Sequence, residues 1–531
     1  MVHCNDENIK WIKQYSLLLI KFLNEYSWLT EAFVLDFFTE NHWSKLPLCW
    51  SSVLSSIDPQ ELGDWLSEGN IFYKQVWPLS LQAFRATVCA LALTRKPISS
   101  PEAVHLFLNK IIPGYPHQKG MTEASKIKWL KTVDELSAAG GQHVNLEHIF
   151  RRRVKPKKQH EILRLTQVID SVLKQIHCDR VIDVGSGQGH LARLLALGYG
   201  LQVATVEAEE QHVSGAQKLD DQALSHLKKK EQRPAYSVEE DISNELIDNY
   251  KKFAICSHQP PKHLRYCVSA SSTQEDLLQV LSDSWPSVKD NLYSDVAHFG
   301  LIGLHTCGNL ASTMLRLFTE TSEAKTLLSV GCCYMKLDIT SAGLACGYPL
   351  SSCIRNQLGH KLCYEALEVA CHAIEKYSKK LKENASSLKI HCYRATLEAL
   401  INKHHPEKRH YGLRSVNHAD RITFTEYVQK ALNRINLYIP DKDVNSSWVA
   451  SCLEQWEHVV VFYSLRLLLA PVIESLVLID RMLYLYEKGI PSLLVPLFDP
   501  ELSPRNQVLL AVKVPDPPEN QASASLPKHQ I

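Results

Sequence analysis

The sequence predicts an α/β fold built around a mostly parallel sheet, and three features of the chain lead to this prediction. A short apolar run at 180–184 passes into a glycine-rich turn and then into the start of a helix. Further apolar runs at 201–207, 297–304 and 327–330 alternate with helical stretches, as they do in doubly wound sheets. With 531 residues, 45% of them hydrophobic and 22% charged, the chain has the composition of a globular protein of about two to four domains.

The turn after the first strand has glycine at alternate positions, namely Gly185, Gly187 and Gly189. Glycine lets the backbone approach a ligand closely, and the start of the following helix offers free N–H donors. Such a strand, turn and helix suit a nucleotide-like cofactor, although a tight turn can also use glycine for purely structural reasons. Asp183, two residues before the first glycine, could meet a cationic group of the ligand.

The second strand ends on Glu207, where an acid is expected to bind ribose hydroxyls. The G-x-G-x-G spacing differs from the G-x-G-x-x-G of dinucleotide sites and disfavours a nicotinamide dehydrogenase. With an acid ahead of it, the pattern resembles class I S-adenosylmethionine-dependent methyltransferases, which implies S-adenosylmethionine as the cofactor. A third strand is predicted to end at Asp241, which would contact the adenine or could instead cap a helix. The predicted cofactor-binding residues are Asp183, Gly185, Ser186, Gly187, Gln188, Gly189, Glu207 and Asp241.

The remaining chain is predicted to be mainly helical around this core. Residues 9–112 have helical periodicity and an aromatic core, and 360–487 are again mostly helical. Two apolar runs near the end are predicted to pair as antiparallel strands, as at the end of a methyltransferase sheet. The predicted organisation is a helical domain (1–112), a linker with a basic run (113–158), the cofactor-binding core (159–359), a helical insertion (360–487), the closing strand pair (488–514) and a disordered tail (515–531).

One short stretch of the chain is strongly basic. The formal net charge is +1, so any surface that attracts nucleic acid must be local. In Arg151–Lys158, six of eight residues are Arg or Lys. This run could contact RNA phosphates, act as a nuclear localisation signal or be a solvated charge run. RNA is therefore the predicted partner, through Arg151–Lys158, with a polypeptide substrate as the alternative.

The fourth predicted strand ends in a run that contains His305, Cys307 and Asn309. Residues at the carboxyl end of this strand face the ligand in a doubly wound sheet. His305 could act as a base or hold the substrate, Asn309 could bind a polar edge, and Cys307 could be a nucleophile or a packed thiol. The predicted catalytic residues are His305 and Asn309, and a structural histidine is the alternative.

Fifteen cysteines are scattered along a chain that begins without an apolar leader, which predicts free thiols in a reducing compartment. A cytoplasmic or nuclear location is therefore expected. Zinc is the alternative for the cysteine-rich stretch after the fifth strand, but because the stretch has no C-x₂-C pair, packed thiols and no metal are predicted there. Its six cysteines are Cys332, Cys333, Cys346, Cys353, Cys363 and Cys371.

The most hydrophobic stretch, 459–479, is long enough to span a bilayer. It contains Arg466 and Glu474, and two central charges cost about 5–6 kcal/mol on an insertion scale. The two residues are eight positions apart and hence on one helical face, which favours a buried amphipathic helix of a soluble protein. Membrane association through 459–479 is the alternative.

Several stretches in combination resemble the methyltransferase-like twenty-five family, one branch of which is called ribosomal RNA adenine dimethylase domain-containing protein. The resemblance extends from about residue 150 to residue 514. It implies a class I methyltransferase fold, with S-adenosylmethionine bound by Asp183, the glycines of the turn and Glu207. The matching stretches are 183–191, 303–310, 330–334, 468–474, 480–481, 498–500 and 503–506.

The branch name does not carry over to an activity. Adenine N6 methylation in that class relies on an Asn/Asp-Pro-Pro-aromatic motif after the fourth strand, where this chain has His305-Thr306-Cys307-Gly308. The nearest run, 257–262, lacks the aromatic residue. The His-x-Cys-Gly and Cys-Cys runs are similar, more loosely, to a transfer RNA 2′-O-methyltransferase family. The sequence thus predicts a methyltransferase acting on RNA, with a protein methyltransferase or a catalytically silent cofactor-binding protein as alternatives.

Overall fold

One eight-stranded sheet organises the part of the chain that the structure describes. This computed structural model describes residues 1–67, 76–111, 129–231, 259–282, 298–339, 346–413 and 415–513. The strands are β1 (Val2–Cys4), β2 (Arg180–Val184), β3 (Gln202–Glu207), β4 (Lys262–Arg265), β5 (Phe299–Cys307), β6 (Ala324–Cys332), β7 (Ser492–Pro496) and β8 (Gln507–Val512).

The strands lie in the order β1-β7-β8-β6-β5-β2-β3-β4. The five strands from β6 to β4 run parallel to their neighbours, whereas β8 is antiparallel to β6 and β7, and β1 is antiparallel to β7. The chain winds outward from β2 to β4 and then returns to β5, so β2 and β5 flank a switch point. Ligands of open α/β sheets bind at the carboxyl ends of such strands. The predicted class I sheet, with its closing antiparallel pair, is confirmed.

Helices cover both faces of the sheet. In the described residues they are α1 (Ile9–Glu25), α2 (Ser27–Thr30), α3 (Leu48–Leu54), α4 (Pro59–Leu66), α5 (Leu79–Leu91), α6 (Glu102–Ile111), α7 (Thr132–Glu135), α8 (His148–Arg151), α9 (Pro156–Gln175), α10 (His190–Arg193), α11 (Glu210–Glu231), α12 (Gln274–Ser282), α13 (Asn309–Glu320), α14 (Ser352–Arg355), α15 (Tyr364–Val369), α16 (Ile374–Lys382), α17 (Ile390–His404), α18 (Phe424–Asn433), α19 (Asp441–Val444), α20 (Ser447–Glu454), α21 (Trp456–Leu468) and α22 (Ala470–Glu487).

The alternation of side chains along each strand separates two hydrophobic cores. Val181 and Ile182 are neighbours in β2, yet they belong to different buried clusters, because successive strand residues point to opposite faces. One cluster contains α9, including Ile169, and the other contains α13, including Met314. Both faces are thus buried, which explains why the central strands are almost continuously apolar.

The N-terminal helices and the later helical region share one core, which corrects the predicted separation at residue 112. Leu19 of α1 and Ile473 of α22 lie in the same buried cluster. The first residues also form β1, which extends the sheet beyond β7 and which the sequence did not predict. Helical periodicity locates a helix but does not tell which face of a sheet it covers.

The strand beside β3 differs from the prediction. This position is occupied by β4, whereas the sequence predicted a strand over 235–241 and a long insertion after it. Residues 235–241, including Asp241, lie outside the described residues, as do 515–531. β4 has no fully buried residue and reads Lys-His-Leu-Arg, so a search for apolar runs overlooks it.

The most hydrophobic segment forms α21 and α22, which by length and composition could cross a membrane and of which the most apolar part is 94% buried in the protein. The segment is helical and buried, as predicted, but α21 and α22 are separated at Leu469 and are buried nearly all round instead of on one face. Arg466 of α21 donates to the carbonyls of Leu29 and Glu365 at 3.2 and 3.1 Å. Glu474 of α22 pairs instead with Arg95 at 2.7 Å. Each charge therefore has its own protein partners.

Candidate functional site

The glycine turn between β2 and α10 requires glycine for two different reasons. Gly185, Gly187 and Gly189 have φ values of +69°, +57° and +66°, in the left-handed region that glycine adopts at little cost. A Cβ on Gly189 would lie 2.8 Å from a ring carbon of His263. No atom of the described residues lies within 4 Å of a Cβ built on Gly187. Packing thus excludes a side chain at Gly189, whereas Gly187 borders open space that a ligand can occupy.

Glu207, the last residue of β3, holds this turn. Its carboxylate accepts hydrogen bonds from the backbone N–H groups of Gly187 at 2.7 Å and Glu209 at 3.1 Å. A carboxylate has about four acceptor positions, so lone pairs remain for ribose hydroxyls. The Ser186 hydroxyl is buried and has no hydrogen-bond partner among the described residues. An acid with spare acceptor capacity and an unpartnered hydroxyl fit a nucleoside-containing cofactor such as S-adenosylmethionine.

A network of buried polar side chains holds the glycine turn in place. Arg193 pairs with Asp220 at 2.5 Å and donates to the carbonyl of Gln188 at 3.2 Å. The other carboxylate oxygen of Asp220 lies 2.7 Å from Nε2 of His263, whose Nδ1 lies 2.8 Å from the Thr205 hydroxyl. This network joins α10, α11, β3 and β4, and it fixes the carbonyl of Gln188 rather than leaving its position to the ligand.

Asp183 lies at the carboxyl end of β2 and is only 2% exposed. Burial raises the pKa of its carboxyl to about 7; the nearby Lys158 ammonium opposes this rise, and the Glu207 carboxylate adds to it. A cation placed beside a carboxyl group favours its ionised form. Asp183 is therefore poised to ionise when the cationic part of a ligand enters.

We expect the affinity for S-adenosylmethionine to increase as the pH rises toward about 7 and then to level off. Below this pH the Asp183 carboxyl must lose its proton on binding, which costs at most about tenfold in affinity per pH unit. Calorimetric titrations of the wild type and of Asp183→Asn across this range test the expectation. The variant removes only the carboxyl titration, so an equal pH dependence in both proteins would contradict it.

In β5, the strand next to β2, the backbone at His305 departs from the regular pairing with β6. The register between β5 and β6 is irregular between Leu304 and Thr306, and His305 has a φ of +69°. A left-handed φ is uncommon for a residue other than glycine and marks positions held by their surroundings. His305 Nε2 lies 2.9 Å from a carboxylate oxygen of Glu161 on α9.

Glu161 is a buried carboxylate that orients the imidazole of His305. It is 1% exposed, and it accepts a hydrogen bond from the Ser503 hydroxyl at 2.7 Å. Burial raises its pKa, but the hydrogen bond and charge of His305, with Lys157 and Lys158, outweigh burial and lower the pKa to about 2. Glu161 is thus ionised at neutral pH and accepts the proton on His305 Nε2. A neutral imidazole then keeps Nδ1 as a proton acceptor.

Sequence reasoning missed Glu161, Ser503 and the inward position of Lys158. Glu161 lies in α9, and the signal that could have indicated it was an acid near the beginning of that buried helix. Ser503 belongs to one of the stretches that carry the family resemblance, but nothing there indicated its contact.

Asn309, predicted to be catalytic, accepts the backbone N–H of Asp338 at 2.8 Å. Its amide oxygen thus holds the segment after β6, and its catalytic role stays a prediction.

Three thiols converge beside His305, at the ends of β5 and β6. The Sγ atom of Cys307 lies 2.9 Å from that of Cys332 and 3.5 Å from that of Cys333. The Cys332 thiol, followed by that of Cys333 and by the Lys336 ammonium, lowers the pKa of Cys307 to about 6 against the effect of its burial. The sequence predicted packed thiols over this stretch and did not predict that Cys307 meets two of them.

Comparison with known proteins identifies the central part of this chain. Residues 157–340 match the family model described as a methyltransferase domain. The chain is 24% identical to the human protein "Probable methyltransferase-like protein 25", over 93% of this chain and 96% of that protein. It is 25% identical to the mouse protein of the same name, over 67% of this chain and 75% of that protein. No solved structure shows a significant match.

Proposed function

From the premise that this chain is related to the methyltransferase-like twenty-five family and contains a class I methyltransferase domain, we propose that it transfers a methyl group from S-adenosylmethionine to RNA. One observation supports methyl transfer over cofactor binding alone. The glycine turn follows β2, and the paired His305 and Glu161 lie at the end of β5, the adjacent strand across the switch point. A candidate cofactor site and a candidate base therefore lie at the carboxyl ends of adjacent strands, where ligands of such sheets bind.

The residues at the end of β5 suit an acceptor that must lose a proton. When bound, S-adenosylmethionine supplies an electrophilic methyl group on a sulfonium sulfur. A hydroxyl or amine acceptor loses its proton as its bond to the methyl carbon forms and the carbon–sulfur bond breaks, which leaves the sulfur as the neutral thioether of S-adenosylhomocysteine. His305 Nδ1 can take the proton. The Glu161 carboxylate holds the imidazole in this tautomer and stabilises the imidazolium that results. Ser503 orients Glu161 through its hydroxyl.

The basic run supports RNA because of its place beside this pair. Arg152, Arg153 and Lys155 are exposed and directly precede α9, whose second turn contains Glu161. Cations at a helix N-terminus are disfavoured by the helix dipole, and α9 has no acidic residue in its first turn. An anion bound there would compensate both the cations and the free N–H groups. RNA phosphates next to the acceptor position would do so.

The basic run does not act as one uniform surface, which refines the prediction for Arg151–Lys158. Lys158 is partly buried, and its ammonium interacts with Glu161 and Asp183. Arg151 is also partly buried, and it donates to the carbonyl of His143 at 3.4 Å. The exposed cations before the helix are the ones proposed to contact phosphates.

Replacing Arg152, Arg153 and Lys155 together by serine should weaken RNA binding and flatten its salt dependence. Each lost phosphate contact lowers the log–log slope by about 0.7–0.9, so three contacts account for about 2–3. Cofactor affinity should not change, because none of the three touches the glycine turn. Binding is measured by filter retention over a series of salt concentrations. The matched control replaces three exposed cations elsewhere, Arg421, Lys430 and Lys442, and should keep the wild-type slope.

Transfer of tritiated methyl groups to a cell extract tests the substrate class. With wild-type protein, we expect label that ribonuclease removes and protease does not. Label that survives ribonuclease but not protease would replace RNA by a polypeptide substrate and leave the methyltransferase assignment standing. If the wild type labelled nothing although it bound the cofactor, a catalytically silent protein would be the better description.

A further inference from the structure

The thiols of Cys307, Cys332 and Cys333 form a compact cluster that the methyl-transfer scheme does not use. Their three Sγ atoms lie within 4.8 Å of one another, with separations of 2.9, 3.5 and 3.7 Å. Cys332 is buried, Cys333 is half-buried and Cys307 is exposed. The cluster therefore has one side toward the protein interior and one side that an ion can approach from solvent.

The backbone is arranged to bring these thiols together. Cys307 and Cys332 are paired in register across β5 and β6, after the irregularity at His305 has shifted the ladder by one residue. Cys332 and Cys333 are consecutive, and in an extended strand their side chains would point to opposite faces. Instead Cys333 has a φ of +51°, which turns its thiol back to within 3.7 Å of the Cys332 thiol. Left-handed backbone is unfavourable at a residue with a Cβ, and thiols that merely fill a core do not require it.

We propose that Cys307, Cys332 and Cys333 are the three protein ligands of a Zn²⁺ ion at the carboxyl ends of β5 and β6. Thiolates are the preferred ligands of zinc, and three protein ligands leave a tetrahedral ion one open position. The proposal does not depend on methyl transfer or on RNA.

The separations of the sulfur atoms are close to those that the ion demands. Zinc–sulfur bonds of about 2.3 Å place the sulfurs of a tetrahedral site roughly 3.8 Å apart. The pairs that include Cys333 are already near this value, at 3.5 and 3.7 Å. The Cys307–Cys332 pair must open, and Cys307 can move because it is exposed.

The charges around the cluster also suit zinc bound by three thiolates. Such a site carries a net charge of −1, and the Lys336 ammonium is close enough to act on Cys307. The same stretch was predicted to hold packed thiols because no C-x₂-C pair is present, but these ligands come from two strands.

The test uses the full chain, purified with a non-thiol reductant, and Zn²⁺ and Cd²⁺ as probes. We expect about one Zn²⁺ per chain by elemental analysis, and a near-ultraviolet cadmium–thiolate absorption that saturates at one equivalent. In Cys307→Ser/Cys333→Ser the retained zinc should fall to background, and the cadmium affinity should fall by at least about 100-fold. This double variant leaves the buried Cys332 in place, so that the core is disturbed as little as possible.

Cys353→Ser/Cys363→Ser is the matched control, because it removes two half-buried thiols outside the cluster. It should retain zinc and the cadmium absorption of the wild type. Equal binding of Cd²⁺ by the wild type and by the double variant at residues 307 and 333 would overturn the proposal. A second result would also overturn the proposal: the wild type contains no zinc, and its Cys307 and Cys332 form a disulfide after the reductant is removed in the presence of Zn²⁺. Cofactor binding by the double variant shows whether it is folded.

Discussion

His305→Asn should reduce methyl transfer by about 10²–10⁴-fold and leave cofactor and RNA binding unchanged, because it removes a general base without removing a binding group. Asparagine tolerates the left-handed backbone of His305 better than alanine does, so the change is conservative for the turn. The measurement is the single-turnover rate of tritiated methyl transfer, with cofactor affinity determined calorimetrically on the same preparation.

Glu161→Gln should lose a comparable part of the rate although it keeps the shape of the side chain. An amide at this position can donate to Nε2 of His305, which places the proton of a neutral imidazole on Nδ1 and removes the acceptor. The matched control is the His372–Glu368 pair, which has a separation of 2.7 Å and is not hydrogen-bonded to His305 or Glu161. His372→Asn and Glu368→Gln should keep the wild-type rate. Wild-type transfer by His305→Asn would show that this histidine is structural.

Gly187→Arg should weaken cofactor binding by about 100-fold or more while the protein stays folded. The space beyond a Cβ at Gly187 is open in the described residues, so the side chain can lie in the cleft without displacing protein atoms. It would compete with the ligand for that space, and a clash of about 3 kcal/mol corresponds to about 100-fold in affinity. Calorimetric titration with S-adenosylmethionine and S-adenosylhomocysteine measures the loss.

Two controls distinguish a loss of affinity caused by a side chain in the ligand space from a loss caused by backbone strain. Gly187→Ala has the same left-handed backbone with only one added carbon, and it should bind the cofactor more tightly than Gly187→Arg. Gly141→Arg places arginine at a φ of +70° in an exposed turn that also has open space around it. It should lower the free energy of unfolding by a similar amount and leave the cofactor affinity unchanged. Unaltered binding by Gly187→Arg would mean that the ligand does not pass this side of the turn.

The sequence was sufficient to predict features that depend on a single position or on one short segment. The three glycines of the turn could be recognised because a left-handed φ is a property of single positions, and the structure shows it at Gly185, Gly187 and Gly189. Buried strands such as β2, β3 and β5 could be recognised because burial on both faces demands continuous apolar residues. The same reasoning overlooked β4, which is polar and short, and β1, which has only three residues and pairs with β7 at the edge of the sheet.

The tertiary structure decided which side chains act together. His305 meets Glu161 across 144 positions, Ser503 meets Glu161 across 342, and Cys307 meets Cys332 across 25. Each contact depends on the order of strands and on the face that a helix covers, and neither leaves a periodic trace in the sequence. The sequence therefore determined a cofactor turn and a candidate histidine. The carboxylate that orients this histidine, and the thiols beside it, appear only when distant segments pack, because their proximity is a property of the fold and not of any one segment.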